Sequence, residues 1–297
     1  MLKISAARSR ARTAALLALV ALTVVVGGSA VAAEADAKAD SLGWHNELIG
    51  SLNFTQSSFS NWAAGGVDNS SWLLGGRGSF KRLGGRTNWS NVLRLEYGEV
   101  KEKDRDSRKA SDLIFAESIV DFNTSRLIKP YARVSLKTQF APGYDYTADP
   151  KLKLSDFADP LYLSQGAGVG LRIKPYVITR FGLGLQETYA DEFAAIYTDD
   201  LDTPDDLETS RIEGGLESVT ELDKTLHKQL ALKSRLALFW AFNNSDQIDI
   251  DWMTDINLQA LGALGMTFKF ELLYNKDVLD KVQWQQVLGI GVTYSFL

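Results

Sequence analysis

A strict alternation of apolar and polar side chains constrains this chain more than any other feature of its sequence. It is clearest at the C-terminal end, where every even position except Gln286 is large and apolar: Val282, Trp284, Leu288, Ile290, Val292, Tyr294 and Phe296. The odd positions from Gln283 to Ser295 are polar or small, apart from Val287. A period of two indicates a β-strand with one apolar face. That face packs either on a protein core or on lipid.

The same alternation recurs along the chain from Trp44 onward, and helical periodicity is nearly absent. Twelve strands are predicted, with starts near the following residues: Trp44, Ser70, Thr87, Asp112, Pro130, Leu161, Val177, Arg211, Lys228, Ile248, Gly265 and Val282. The fold class is therefore all-β.

The predicted connections alternate in length. Short ones such as RLGGR follow the even-numbered strands, whereas longer or more polar ones such as KEKDRDSRKAS follow the odd-numbered strands. Short turns on one side and long polar loops on the other are typical of outer-membrane barrels. We therefore predict an antiparallel up-and-down transmembrane β-barrel of about 12 strands, with both termini in the periplasm.

Aromatic residues on the apolar face fall near the predicted strand ends. Those expected at the outer rim are Trp72, Tyr97, Trp240, Trp252, Tyr274 and Trp284. Those expected at the inner rim are Phe80, Trp89, Phe122, Tyr294 and Phe296. Aromatic girdles at both interfaces favour a bilayer over a soluble core as the environment of this face.

The N-terminal residues read as an export signal. A basic start precedes an apolar run over 14–26, and Ala30-Val31-Ala32 fits a cleavage site. We predict a signal peptide over residues 1–32, a short periplasmic lead-in over 33–43 and the barrel over 44–297. The expected location is the outer membrane of a Gram-negative-type bacterium, after cleavage of the signal.

Charge and rare residues exclude several function classes. The signal carries four of the 32 basic residues and none of the 37 acidic ones, so the mature chain has a net charge of −9 and is unsuited to nucleic acid. No cysteine is present, and the two histidines, His45 and His227, lie on strands expected in different parts of the wall. We predict no catalytic residues, no cofactor and no metal, so the chain is not expected to be an enzyme.

One acidic stretch, from Tyr197 to Ser210, has enough carboxylates to suggest Ca²⁺ binding. It lacks the glycine and the spacing of an EF-hand loop, and a solvated loop is the favoured interpretation. Several glycines lie on the inner face of predicted strands six and seven: Gly166, Gly168, Gly170, Gly182 and Gly184. They leave room for an inserted loop or a bound substrate, or they mark a strongly curved sheet, and an inserted loop is favoured over a ligand groove.

The polar faces of the strands predict a charged interior. Its lumen-lining residues are Arg94, Glu96, Arg133, Lys137, Lys233, Arg235, Asp249, Asp251, Asp255, Lys269 and Glu271. Lys233 and Arg235 are expected to face the acidic row on the next strand. About eight strands leave room only for side chains and about sixteen give a channel, so twelve permits either an open or a filled lumen.

Several segments resemble an uncharacterised family of bacterial outer-membrane-barrel-like proteins. They are TQSSFSNWAAGGVDNSSW, NVLRLEYGEVK, RKASDLI, KTQFAPGYDY and LGIGVTYSF. The hallmark loop of the resemblance comprises Gln56, Phe59, Asn61, Trp62, Gly65 and Gly66. The resemblance implies a fold and a location but no activity. Tyr294 and Phe296 also resemble the terminal assembly signal that the barrel-insertion machinery reads, although Phe296 is penultimate.

Three functions follow from this reading. The preferred one is a passive channel or small-solute porin with a charged lumen, whose partners are outer-membrane lipid, the insertion machinery and small hydrophilic solutes. The alternative is a plugged structural or surface-binding barrel that acts through its outer loops. A membrane-embedded hydrolase is the least favoured, because nothing in the sequence pairs a nucleophile with a base.

Overall fold

The computed structural model describes residues 42–58, 67–125, 127–199, 207–243, 248–276 and 278–296. Nearly all of them lie in strands: β1 Gly43–Ser57, β2 Asn69–Leu83, β3 Thr87–Glu102, β4 Arg108–Phe122, β5 Ile128–Thr138, β6 Gly143–Asp145, β7 Leu152–Ser155, β8 Leu161–Lys174, β9 Val177–Tyr189, β10 Ser210–His227, β11 Leu230–Ala241, β12 Asp249–Leu261, β13 Leu264–Asn275 and β14 Leu279–Ser295. One short helix, α1, spans Ala194–Tyr197. Within the described ranges, no helix has the length and apolar character needed to cross a membrane.

Twelve of the strands close into one antiparallel barrel. Their order around the wall is β1-β14-β13-β12-β11-β10-β9-β8-β5-β4-β3-β2. Strands that follow one another in the barrel are neighbours, and β14 returns to pair with β1. The predicted twelve-stranded up-and-down transmembrane barrel is therefore confirmed.

The barrel has an apolar outside and a charged inside. The seven alternating apolar residues at the C-terminal end, from Val282 to Phe296, are each more than half exposed. Charged residues such as Arg133 and Glu217 are buried instead. This distribution is the reverse of that in a soluble protein and is the one that lipid requires of a barrel wall. The opening alternation thus produces a lipid-facing strand.

Two aromatic contacts lie where the girdles were predicted. At the end of the barrel that carries the short turns, the rings of Trp44 and Trp89 are 6.0 Å apart. At the opposite end, those of Trp72 and Tyr97 are 5.7 Å apart. The Trp89 indole donates a hydrogen bond of 2.9 Å to the Ser118 hydroxyl, so its polar edge is satisfied while the ring stays exposed.

The strand starts were predicted to within four residues, and the largest error is in β4. This strand begins at Arg108 rather than at Asp112, because it continues to pair with β3 across a register shift between Gly98 and Glu99. Residues 108–111 carry no apolar alternation, so no local pattern indicated the extension. The hairpin of β6 and β7 and the helix α1 lie in the two longest outer loops and were not predicted.

The closing contact between β1 and β14 is short. Among the described residues, its register runs only from Ile49↔Ser295 to Asn53↔Gly291. On its other edge, β1 pairs with β2 over its whole length, from Gly43↔Leu83 to Ser57↔Asn69. Inter-strand pairing provides the cross-strand contacts that stabilise a sheet, so this seam is the least extensively paired part of the wall.

Candidate functional site

The interior of the barrel is the candidate site, because charged side chains from ten of its strands meet there. Period two places residues two or four apart on the same face of a strand. Glu213, Glu217 and Glu221 of β10 follow this spacing, and so do Glu117 and Asp121 of β4. Closure of the barrel turns these faces toward one another, and ion pairs form between strands that are not neighbours.

The most buried ion pairs form at the middle of the wall. Arg133 of β5 donates to the Glu217 carboxylate of β10, with Nη2 at 2.6 Å and Nε at 3.0 Å from its oxygens. Arg235 of β11 donates to Glu117 of β4, with Nη2 2.6 Å from Oε2. The side chains of Arg133 and Glu217 are only 4% and 2% exposed. Tyr131 completes the set by donating a 2.7 Å hydrogen bond to Glu217.

A second cluster crosses the barrel between β3 and β12. The Arg94 Nη2 atom lies 3.1 Å from Asp255 Oδ1 and 3.2 Å from Glu96 Oε1. Arg77 contacts the same aspartate at 3.4 Å, and Lys269 contacts Glu96 at 2.8 Å. Each charge therefore has an opposite charge beside it, as burial requires.

A third cluster joins opposite walls of the barrel. Lys137 of β5 contacts Glu271 of β13 at 2.7 Å and Asp251 of β12 at 3.1 Å. Strands β5 and β13 are six positions apart in either direction around the wall. This lysine therefore spans the full width of the lumen.

A fourth cluster lies toward the short turns. Arg180 of β9 holds the Asp121 carboxylate of β4 with hydrogen bonds of 2.9 and 3.1 Å, and it also pairs with Glu221. Together the four clusters form a layer of side chains that crosses the lumen, which we call the ion-pair layer.

The interior contains two cavities of similar size. The one bordered by the outer strand ends, here the outer cavity, has a volume of about 420 Å³, and its walls include Lys137, Asp251 and Tyr162. The one bordered by the short turns, here the inner cavity, has a volume of about 350 Å³, and its walls include Arg94, Glu96 and Asp255. The two cavities have no lining residue in common.

All eleven predicted lumen-lining residues border one of these cavities. On the outer cavity lie Arg133, Lys137, Arg235, Asp249, Asp251 and Glu271. On the inner cavity lie Arg94, Glu96, Lys233, Asp255 and Lys269.

Their partners differ from those expected. Lys233 does lie opposite Asp255 of β12 in the strand register, as expected, but its ion pair is with Glu47 of β1 at 2.6 Å. Arg235 lies opposite Met253 and forms its ion pair with Glu117. Lysine and arginine side chains are long, and they project from a curved wall into the lumen. They therefore contact strands across the lumen as readily as the neighbouring strand.

Sequence reasoning missed seven of the sixteen residues of the ion-pair layer. The missed residues are Arg77, Glu117, Asp121, Tyr131, Arg180, Glu217 and Glu221. The even spacing of the acidic residues on β4 and β10 was the signal that could have found several of them.

The predicted inserted loop next to the glycines of β8 and β9 is wrong for the part of the wall near Gly166. A Cβ atom added at Gly166 would lie 1.8 Å from Oε1 of Glu217, and one added at Gly182 would lie 2.8 Å from the Tyr131 hydroxyl. The space above Gly166 is therefore filled by a side chain of the ion-pair layer. At Gly168 and Gly182 the nearest atoms are backbone oxygens of the neighbouring strand, Phe181 at 2.1 Å and Ala167 at 2.2 Å.

The remaining predicted residues lie outside the lumen or outside the described ranges. Gln56 is near the end of β1, whereas Phe59, Asn61, Trp62, Gly65 and Gly66 are not among the described residues. The rings of Tyr294 and Phe296 contact each other at 4.8 Å and are exposed on the lipid-facing side. His45 and His227 are exposed near the ends of β1 and β10.

The outer loops are joined by hydrogen bonds and ion pairs. Lys153 contacts Asp156 at 2.5 Å and Glu192 at 3.0 Å, which links the loop after β5 to the loop after β9. The hydrogen bond from Lys153, together with one from the Phe157 amide, lowers the pKa of Asp156. Burial and the nearby Asp159 carboxylate raise the pKa of Tyr197, which borders the outer cavity.

Across the described ranges, no group of three or more histidine, aspartate or glutamate residues is placed to hold a metal ion. The acidic stretch considered for Ca²⁺ lies mostly in residues 200–206, outside those ranges.

Comparisons with known proteins give one family match. The family described as "Protein of unknown function (DUF3078)" matches residues 54–144. This range contains three of the five segments that carry the resemblance and KTQFAPGYDY as far as Tyr144, but not the C-terminal LGIGVTYSF. No curated protein matches the chain.

Solved structures similar to the chain are bacterial barrels of low sequence identity. The translocator domain of the autotransporter NalP from Neisseria meningitidis is 14% identical, with 98% of each chain covered and a TM-score of 0.37. An outer membrane channel from Pseudomonas putida F1 is 11% identical, with 90% of this chain and 100% of that chain covered and a TM-score of 0.39. The TodX monoaromatic hydrocarbon channel is 7% identical, with 79% and 75% covered and a TM-score of 0.32. At these scores, no function carries over to this chain.

Proposed function

We propose that this barrel is a passive outer-membrane channel for small hydrophilic solutes. The observation that carries the proposal is the pair of charged cavities, about 420 and 350 Å³ in volume, on either side of the ion-pair layer. A water molecule occupies about 30 Å³ of liquid, so each cavity has room for several waters or for a small solute.

Passage through the channel requires the ion-pair layer to part. Several of its members are long, flexible side chains with more than one opposite charge in reach, such as Arg94 beside Glu96 and Asp255. A basic side chain that moves away from one carboxylate stays paired with another. Separating such a pair therefore costs less than breaking an isolated buried ion pair.

The proposal has two further parts. The barrel inserts into outer-membrane lipid after its signal peptide is removed, and the insertion machinery reads Tyr294 and Phe296. No catalytic role is assigned.

The experiment is single-channel conductance of the folded mature protein in a planar bilayer. We expect steady current steps, and we expect Asp251→Asn and Asp255→Asn each to shift the ion selectivity toward anions, because each removes a carboxylate from a cavity wall. Asp106→Asn, in the exposed loop after β3, is the matched control and should leave the selectivity unchanged. The absence of current steps from protein that is folded and inserted in the bilayer would contradict the channel function.

A plugged barrel that acts through its outer loops is the second candidate. It is favoured by the ion pairs that cross the lumen and by the linked outer loops around Lys153. The conductance experiment separates the two candidates, since a plugged barrel gives no current steps.

A further inference from the structure

The charges of the interior are divided unequally between its two cavities. The walls of the outer cavity carry five carboxylates and three basic side chains: Asp112, Glu217, Asp249, Asp251 and Glu271 against Arg133, Lys137 and Arg235. The walls of the inner cavity carry three carboxylates and five lysines and arginines: Glu47, Glu96 and Asp255 against Arg77, Arg94, Lys228, Lys233 and Lys269. With His227 neutral, the outer cavity has a net charge of −2 and the inner cavity one of +2.

Ion pairing inside each cavity does not remove this imbalance. Lys137 is shared between Asp251 and Glu271, so one lysine neutralises only one of two carboxylates. In the inner cavity, Arg77 and Arg94 both contact Asp255, so one carboxylate faces two guanidinium groups. Two wall residues of the outer cavity also pair with groups beyond the wall, Asp112 with Lys109 and Arg235 with Glu117, and these two added charges cancel. The excess charge of each cavity therefore remains after ion pairing.

We propose that the interior is a bipolar conduction path, in which the outer cavity admits cations and the inner cavity admits anions. A cleft with walls of one sign concentrates ions of the opposite sign and repels ions of the same sign. Here two such clefts of opposite sign lie in series along one lumen. This inference rests on the proposed channel function and deepens it by assigning an ion class to each end.

A series of this kind conducts unequally in the two directions. When the extracellular side is positive, cations enter through the acidic outer cavity and anions enter through the basic inner cavity, so mobile ions accumulate in the lumen. When that side is negative, each ion must first enter the cavity that repels it, and the lumen is depleted. Current is therefore larger when the extracellular side is positive.

The test is the current–voltage relation of single channels whose orientation is known. The chain has no cysteine, so Lys276→Cys in the exposed outer loop after β13 can be biotinylated selectively. Streptavidin added to one chamber then identifies the side that the outer loops face. In this background we expect the current at positive and negative potentials to differ by about twofold or more at low salt, and less at high salt because of screening.

Two charge-neutralising variants locate the effect. Asp249→Asn/Asp251→Asn leaves three carboxylates and three basic side chains on the outer cavity, and Lys137 keeps Glu271. Arg77→Gln/Lys228→Gln leaves three of each on the inner cavity, and Asp255 keeps Arg94. We expect each variant to reduce the current asymmetry and to shift the selectivity in opposite directions, toward anions in the first and toward cations in the second.

The matched control is Asp104→Asn/Asp106→Asn, which removes two carboxylates from an exposed loop without touching either cavity. It should retain the asymmetry of the parent. A symmetric current–voltage relation in a conducting parent would overturn the bipolar path while leaving the channel intact. Absence of any current would overturn both.

Discussion

At the scale of single residues, glycines in the barrel wall leave room for the side chains of the ion-pair layer. Gly166 lies where the Glu217 carboxylate must pass to reach Arg133, and the position of its missing Cβ is 1.8 Å from that carboxylate. Because Glu217 is buried and held by both Arg133 and Tyr131, any displacement of its carboxylate breaks contacts with these two partners. The ion pair between Arg133 and Glu217 therefore requires a glycine at position 166.

Gly166→Ala should lower the free energy of unfolding by about 3 kcal/mol, since it displaces one partner of a buried ion pair. Gly76→Ala is the matched control, because the nearest atom to its added Cβ is the Leu95 Cβ at an ordinary 3.8 Å, and it should cost less than about 1 kcal/mol. Urea unfolding in lipid vesicles measures both. The double variant Gly166→Ala/Glu217→Ala should lose less unfolding free energy than the sum of the two single variants. Additive losses would contradict the displacement of the Glu217 carboxylate by the added methyl group.

At the scale of elements, the loop after β5 is held by side chains from the first residues of β4. The Asp112 carboxylate accepts hydrogen bonds from the amides of Phe140 and Ala141, at 2.7 and 2.9 Å, and contacts Lys109 at 2.9 Å. Lys153 then joins the same loop to the loop after β9. A long loop that would otherwise be free is thereby fixed at both its base and its tip.

The order of this loop should depend on pH. Hydrogen bonds from Lys153 and from the Phe157 amide lower the pKa of Asp156, so the carboxylate stabilises the folded loop above its unfolded pKa of about 3.9. That stabilisation is lost as the pH falls through the lower, folded value. Amide hydrogen exchange of residues 152–157, corrected for intrinsic rates, should accelerate about twofold to fivefold below about pH 4.

Asp156→Asn should show this faster exchange at neutral pH, with little further change on acidification. Asp104→Asn, in a separate exposed loop, is the control and should behave as the parent. Equal exchange in Asp156→Asn and the parent at neutral pH would contradict a role for the ion pair.

At the scale of the whole molecule, barrel closure depends on the short seam between β1 and β14. Its described register covers Ile49 to Asn53 on β1, although both strands continue to pair with their other neighbours beyond it. The side chain of Asn53 at the end of this register is buried, and its Nδ2 has no hydrogen-bond partner among the described residues. The barrel should therefore open first along this line.

A disulfide across the seam should raise the temperature at which the barrel opens. Ser51 and Thr293 are register partners, and opposed residues in antiparallel strands have Cα atoms about 4.5–5.5 Å apart, within the range a disulfide accepts. Oxidised Ser51→Cys/Thr293→Cys should gain about 2–4 kcal/mol of stability, measured as a higher temperature for loss of the compact electrophoretic form.

The reduced protein and each single cysteine variant are the controls, and no native cysteine interferes. The same disulfide placed between β1 and β2, at Thr55→Cys and Ser71→Cys, should stabilise the barrel less, because that contact is already long. Equal gains at both places would show that the seam is not where opening begins.

The sequence by itself determined the strands, their number, the loops that face each side and the face that meets lipid. These properties follow from period two and from turn length, which are local. It also placed all eleven predicted charges in the interior, because facing direction is fixed by parity along a strand. The tertiary structure alone decided which charges meet. Lys233 reaches Glu47 on β1, and Lys137 crosses to Glu271 on the opposite wall. Such pairs depend on the curvature and stagger that the closed barrel imposes, and no local pattern encodes them.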